Sequence, residues 1–413
     1  MFDADAQALR ERQSDGDYLL PAYDDWCFSR IPGTVADLLG ADAGPRLPAE
    51  ATADYDDVSR VVVFLVDGFG LAQWDGERDR ISFLREFERA GRVTPLTTVF
   101  PSETAAAMNT FHSGALPSEH GVVGWNVYDP DADEMFEALP FLRKDGTQPE
   151  RIDRADVADC ESVYPDLAAA GVETHHVTPF PSEETVPHTY DPEDVSTFSD
   201  AFAEAAESAA DPSYVFAYLP QTDAVAHGEG VDSEAYRETA AETFARVADA
   251  IATLAEATDE DDAGETLVCL TADHGLVDTD PERNPDLSEP PFDLVSDLRT
   301  LTDGTPIRFS GSPRNVHLHL RDERTDPVYD LLTTELDARV FRKCEVLERE
   351  LFGPAPSPTF ERRLGDLVVV HRDLGVWYGD EEPGNLGFVG MHGGLHPDEM
   401  LIPFATATLD SLR

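Results

Sequence analysis

The stretch "VVVFLVDGFG" (residues 61–70) runs six apolar residues straight into Asp67, Gly68 and Gly70. Such a run predicts a buried strand. An acid at its end is either an ordinary turn former or a metal ligand held at the rim of a parallel sheet. What the other strands do at their ends decides between the two.

Three further segments end alike. "SYVFAYLPQTDAVAH" (213–227) closes a strand, then offers Asp223 and, four residues on, His227. "TLVCLTADHG" (266–275) ends on adjacent Asp273 and His274, and "GMHGGLHPDEM" (390–400) sets His392 and His396 among glycines just before a last strand. In an open parallel sheet the carboxyl ends of the strands converge on one crevice, where ligands bind. Singly, each residue reads as a turn, a cap or a surface pair. Together, three aspartates and at least three histidines make a donor set suited to zinc or a similar divalent ion. His175, His176, His188, His317, His319 and His371 lack that context and read as structural, with His188 or a strand histidine the alternative lining of the pocket.

Apolar runs alternate with amphipathic helices along the chain, which predicts an α/β fold with a largely parallel sheet. Strands are expected at 60–66, 174–179, 213–219 and 266–272, and helices near 160–170, 196–210 and 232–257. The acidic stretch 258–265 reads as a solvated loop. Beyond residue 280 a strand at 314–320, a helix at 326–337 and a strand at 338–343 suggest a small βαβ insertion. Strands at 366–373 and 399–409 are expected to rejoin the main sheet. The division this implies is a core over 1–280 and 366–413, with an α/β insertion over 281–365 that shapes the substrate pocket.

The chain's 413 residues hold 83 acids against 30 bases, a net charge of −53, with Lys144 and Lys343 the only lysines. That excess would repel itself in dilute buffer, but molar salt shortens the Debye length to ~3 Å. A very salty cytoplasm is the expected setting, and the absence of a basic stripe argues against a nucleic-acid groove. No apolar run approaches the ~20 residues of a membrane span, and the amino terminus lacks a signal-peptide core. Four cysteines without paired spacing predict neither disulfides nor a cysteine zinc site.

The segment "FPSETAAAMNTFHSGALPSEHGVVGWNVYDP" (100–130) starts a helix at "PSET" and ends it at Gly114. A helix amino terminus is a ready phosphate site, and Thr104 falls in its first turn. Thr104 or Ser102 could cap the helix. A divalent ion could instead activate the Thr104 hydroxyl as a nucleophile.

In this order V-D-G, P-S-x-T, S-G-x-x-P-x-x-H-G, D-x-x-x-H, A-D-H-G and H-G-G resemble the alkaline phosphatase superfamily, in its type I phosphodiesterase/nucleotide pyrophosphatase branch. There a glycine and the proline of P-x-x-H-G follow the nucleophilic threonine by ten and thirteen residues, as Gly114 and Pro117 follow Thr104. The resemblance implies an alkaline-phosphatase-like α/β/α sandwich and two divalent ions, zinc or alternatively manganese. It assigns Asp67, Thr104, Asp273 and His274 to one ion, and Asp223, His227 and His392 to the other. His120 matches the structural turn of P-x-x-H-G. Where the branch places a phosphoryl-binding asparagine this chain has Trp125, with Asn126 one place later; a local shift would restore the contact, or Trp125 would stack on a base.

The implied activity is hydrolysis of a small phosphodiester or nucleotide pyrophosphate in the cytoplasm, through a phosphothreonine. A phosphomonoesterase, a phosphonoacetate-hydrolase-like enzyme and a noncatalytic metal-binding relative are the alternatives. The sulfatase motif is absent.

Overall fold

Val61 through Val66 are fully buried in the middle of a seven-stranded sheet. In this computed structural model, which describes residues 2–52, 55–179, 186, 188–191, 196–257, 264–379 and 383–413, the spatial order of its strands is Arg92–Thr97, Leu401–Thr408, Glu265–Thr271, Val58–Val66, Ser213–Leu219, Glu173–Val177 and His188–Tyr190. The last five run parallel, whereas Leu401–Thr408 lies antiparallel to both its neighbours. Its amino end therefore meets the carboxyl ends of the parallel strands.

Helices cover both faces. Phe64 meets Phe202 of helix Phe198–Ser208 at 5.1 Å between ring centroids. On the opposite face, Phe216 meets Phe111 of helix Thr104–Ser113 at 5.1 Å. Alternate strand residues thus feed two apolar layers, as the period of two requires. The fold is the mixed α/β architecture expected, with a mostly parallel central sheet. Of the expected acidic loop, residues 258–263 lie outside the described residues.

The second sheet departs from expectation. Its six antiparallel strands are, in order, Ala338–Arg342, Leu367–His371, Asn315–Leu318, Gly311–Ser312, Asn126–Asp129 and Glu134–Glu137. The segment expected to rejoin the main sheet at 366–373 instead wedges between the two strands of the anticipated βαβ unit. Its apolar run misleads because both its faces are covered: Val368 and Val370 join the large core, while Leu367 and Val369 join a smaller outer one. Such a strand reads like a central parallel strand. The hairpin 126–137 was not anticipated as part of this sheet, and it carries Asn126 to the crevice.

Among the described residues no helix is long and apolar enough to cross a membrane. All four cysteines are free.

Candidate metal centre and active site

The four strand ends meet at one place. Asp67, Asp273 and His274 form one buried group of convergent ligand atoms, and Asp223, His227 and His392 form a second. In the first, His274 Nε2 lies 3.3 Å from Asp67 Oδ1 and 3.4 Å from Asp273 Oδ2. In the second, Asp223 stands 3.1 Å from His227 Nε2 and 3.5 Å from His392 Nε2. The rings of His274 and His392 stack at 3.8 Å, so the groups adjoin.

Each ligand is aimed by its other end. The Nδ1 atoms of His227, His274 and His392 sit 2.9, 3.1 and 3.3 Å from the carbonyls of Gly390, Gly275 and Ser102. A carbonyl accepts only, so each Nδ1 carries the proton and each Nε2 turns a lone pair to the cluster. Asp273 Oδ1 accepts from the amides of Gly68 and His274, at 3.2 and 3.1 Å. Asp67 Oδ2 accepts from the Tyr218 hydroxyl. The oxygens facing the centre, Asp67 Oδ1, Asp223 Oδ1 and Asp273 Oδ2, are buried with no hydrogen-bond donor. Lone pairs facing lone pairs are costly without a cation between them. The donor set therefore fits divalent ions bound by nitrogen and oxygen.

The electrostatics agree. Burial, then the charges of Asp273 and Asp223, push the Asp67 carboxyl well above its usual range, and burial likewise raises Asp273. Burial also pushes Asp223 up, but the adjoining His227 outweighs it and holds Asp223 low, and Asp223 in turn raises His227, so that without a metal a proton on His227 stands where the cation would be. Burial and the neighbouring His274 keep His392 neutral, as a ligand must be.

Thr104 opens helix Thr104–Ser113, is 5% exposed, and its Oγ1 lies 3.1 Å from His274 Nε2. The first intrahelical bond runs from the Ala107 amide to the Glu103 carbonyl, at 2.9 Å. The earlier amides have no acceptor within the helix and favour an anion beside Thr104. Gly114 closes the helix in a left-handed conformation, φ 74°. Ser102 does not cap it. Its hydroxyl donates to the Gly394 carbonyl (2.7 Å) and accepts from the Gly393 amide (3.2 Å), which pins the loop bearing His392. His120 is buried, with Nδ1 accepting from the Val122 amide at 3.1 Å and Nε2 beside Thr110.

Several site residues escaped sequence reasoning. Fully buried Arg314 forms a two-pronged ion pair with Glu399, at 3.0 and 2.7 Å, and Glu399 accepts from the amides of Gly394 and His396. That pair buttresses the His392 loop from the second sheet. Phe388 stacks on His227 at 4.5 Å. Only adjacency to Thr104 singles out Glu103 in the sequence, and only the scarcity of lysine singles out Lys144. Both line the cleft, of about 390 Å³, that opens over Thr104, with Trp125, Asn126, Leu139, Ser312 and Pro313 among its other walls. Lys144 pairs with Glu137 at 3.0 Å. The Nδ2 of Asn126 donates to the Gly311 carbonyl at 3.0 Å.

The model of the family described as type I phosphodiesterase/nucleotide pyrophosphatase matches residues 61–395. No curated protein sequence matches the chain. Among solved structures, murine ectonucleotide pyrophosphatase/phosphodiesterase 5 is 19% identical with a TM-score of 0.65, over 84% of this chain and 87% of that one. An inactive variant of that protein in complex with AMP is 18% identical with a TM-score of 0.64, over 83% and 87%. Phosphonoacetate hydrolase from Sinorhizobium meliloti 1021, in complex with phosphonoformate, is 16% identical with a TM-score of 0.58, over 86% and 91%. At these identities the likeness is one of fold.

Proposed function

The chain belongs to the type I phosphodiesterase/nucleotide pyrophosphatase family, and from that premise we propose a hydrolase of phosphodiester or pyrophosphate bonds that uses two divalent ions and Thr104. The observation that carries the reading is the pair of ligand groups with donor-less carboxylate oxygens beside the Thr104 hydroxyl. One ion is assigned to Asp67, Thr104, Asp273 and His274, the other to Asp223, His227 and His392. Zinc suits this mixture of imidazole and carboxylate, with manganese the alternative. Bound there, the ions supply Lewis-acid stabilisation of phosphoryl charge and lower the pKa of the nucleophile.

In the proposed reaction, deprotonated Thr104 Oγ1 attacks phosphorus and the ester or anhydride bond opposite it breaks, its oxygen leaving with the bonding pair and taking a proton from solvent; the phosphorus, still carrying its other ester substituent, is left bonded to the threonine oxygen. Water then attacks that phosphorus and restores the hydroxyl. The free amides of the helix terminus face the phosphoryl oxygens. Asn126 has a second N–H beyond its bond to Gly311 and offers it to one of those oxygens, and Trp125 offers a ring face to a base. Ser312 and Pro313 are what the 281–365 segment contributes to the cleft wall.

A diester should be preferred over a monoester. Two divalent ions bring four positive charges against three from Asp67, Asp223 and Asp273, leaving about one for the substrate. The cleft supplies no spare clamp: Arg314 is engaged by Glu399, and Lys144, the one cation among the described lining residues, pairs with Glu137. We expect kcat/KM for bis-p-nitrophenyl phosphate to exceed that for p-nitrophenyl phosphate about tenfold or more, in molar salt with zinc. A tenfold preference for the monoester would reassign the protein as a phosphatase, and rapid turnover of phosphonoacetate would reassign it as a phosphonate hydrolase.

The net charge of −53 supports a salt-rich cytoplasm as the working environment. Stability and activity are expected to rise between ~0.1 M and ~2 M potassium chloride as repulsion is screened. Equal melting temperatures at the two concentrations would count against it.

A further inference from the structure

Beside the nucleophile stands a carboxyl group that neither the metal groups nor the helix uses. Glu103 occupies the helix N-cap position, yet its side chain caps nothing. It is 1% exposed, it lines the cleft, and its Oε1 has no hydrogen-bond donor. A second buried acceptor on the same cleft, Asn126 Oδ1, also lacks a donor.

The backbone makes room for this acid. A methyl group at Gly124 would come within 2.8 Å of Glu103 Oε1, and one at Gly393 within 3.5 Å of Oε2. Gly393 belongs to the loop bearing His392, so the carboxyl is clasped between that loop and the segment leading to Asn126. A buried acceptor without a donor costs about 1–3 kcal/mol. A substrate N–H or O–H that fills it recovers that cost on binding. A site built to hydrogen-bond a substrate group rejects the analogue lacking it far more strongly than an apolar pocket rejects one methylene.

We propose that Glu103, together with Asn126, forms a hydrogen-bond-accepting wall that selects phosphodiesters carrying a hydroxyl or ammonium group a few bonds from phosphorus. The inference rests on the phosphodiesterase reading and adds the class of ester group to it. Both sources share one chemistry, an O–H or N–H directed at two acceptors.

The test compares ethyl, 2-hydroxyethyl and 2-aminoethyl p-nitrophenyl phosphate on the zinc-loaded protein in molar salt. At least one donor-bearing ester should exceed the ethyl ester by tenfold or more in kcat/KM, and the arm that does so identifies the donor. Glu103→Leu should compress the ratio to within threefold, whatever happens to the individual rates. Glu103→Gln keeps an acceptor oxygen and should retain a hydroxyethyl preference, and it serves as the folded control if the leucine variant is unstable. Calorimetric binding of the three esters to zinc-loaded Thr104→Ala supplies the same ratios without turnover. Equal treatment of all three esters, or a preference undiminished in Glu103→Leu, overturns the proposal. If no diester is cleaved, the phosphodiesterase reading fails, while the binding ratios still decide whether the wall reads donors.

Discussion

Thr104→Ala is expected to lose on the order of 10⁴-fold in turnover, ~5.4 kcal/mol of transition-state stabilisation. The expectation rests on position. Thr104 Oγ1 lies 3.1 Å from His274 Nε2, at the edge of the first ligand group and at the amino end of its helix. Three protein ligands of that group survive the substitution, so metal content should persist, and one buried methyl-and-hydroxyl loss should leave the fold intact. Thr104→Ser retains a hydroxyl and should recover much of the rate. Ser102→Ala should fall well short of the alanine defect at Thr104, because its hydroxyl secures the Gly393–Gly394 backbone and contacts no ligand group. Metal analysis, circular dichroism and single-turnover kinetics on the three variants separate chemistry from assembly. A Thr104→Ala protein within tenfold of wild type, or a Ser102→Ala protein as dead as Thr104→Ala should be, would place the nucleophile elsewhere.

Asp67→Asn should act in opposite directions on activity and on the metal-free fold. Asp67 Oδ1 is one of the donor-less oxygens, and its loss as a charged ligand should lower activity by more than about 10³-fold, or ~4 kcal/mol. In metal-free protein the same carboxyl is disfavoured by burial and by the charges of Asp273 and Asp223. Removing that repulsion should stabilise the chelated protein by about 0.5–2 kcal/mol, the range typical of relieving a strained site. With free zinc a thousandfold above Kd, wild type gains about 4 kcal/mol from binding, which the variant forfeits in part. Melting temperatures with zinc and with chelator should therefore change order between the two proteins. Asp67→Asn less stable than wild type under both conditions would mean that the carboxylates do not repel one another as their crowding implies.

The legible part of the site is that written into strand ends. Asp67, Asp223, Asp273 and His274 each close an apolar run or follow it by a few residues, and the parallel sheet gathers such ends at one edge. His392 was legible from its glycines alone. What holds these ligands was not, because it depends on partners far apart in sequence: Arg314 reaches Glu399 across 85 residues, and Ser102 reaches Gly394 across 292. Sheet membership was partly hidden for a different reason. A strand buried on both faces carries no alternation to say which layers it joins, so Leu367–His371 read as a strand of the wrong sheet. Glu103 was invisible as a site residue because an acid near a helix start is ordinary, and only its burial without a donor sets it apart.

The strand Leu401–Thr408 lies inside the central sheet, bonded to Arg92–Thr97 on one side and Glu265–Thr271 on the other, although the Thr271 hydroxyl and the Pro403 carbonyl it donates to are 132 residues apart. On a ribosome, that slot stays open until nearly all of the described chain has emerged. Through elongation the nascent protein carries two apolar strand edges with nothing between them, the kind of edge that recruits a foreign strand. Asp67, Asp223, Asp273 and His274 are synthesised early, His392 only just before the strand that closes the sheet. The ligand set thus stays incomplete until His392 is made, a few residues before the strand that closes the sheet. A holdase that shields those two edges is the cellular help this topology calls for.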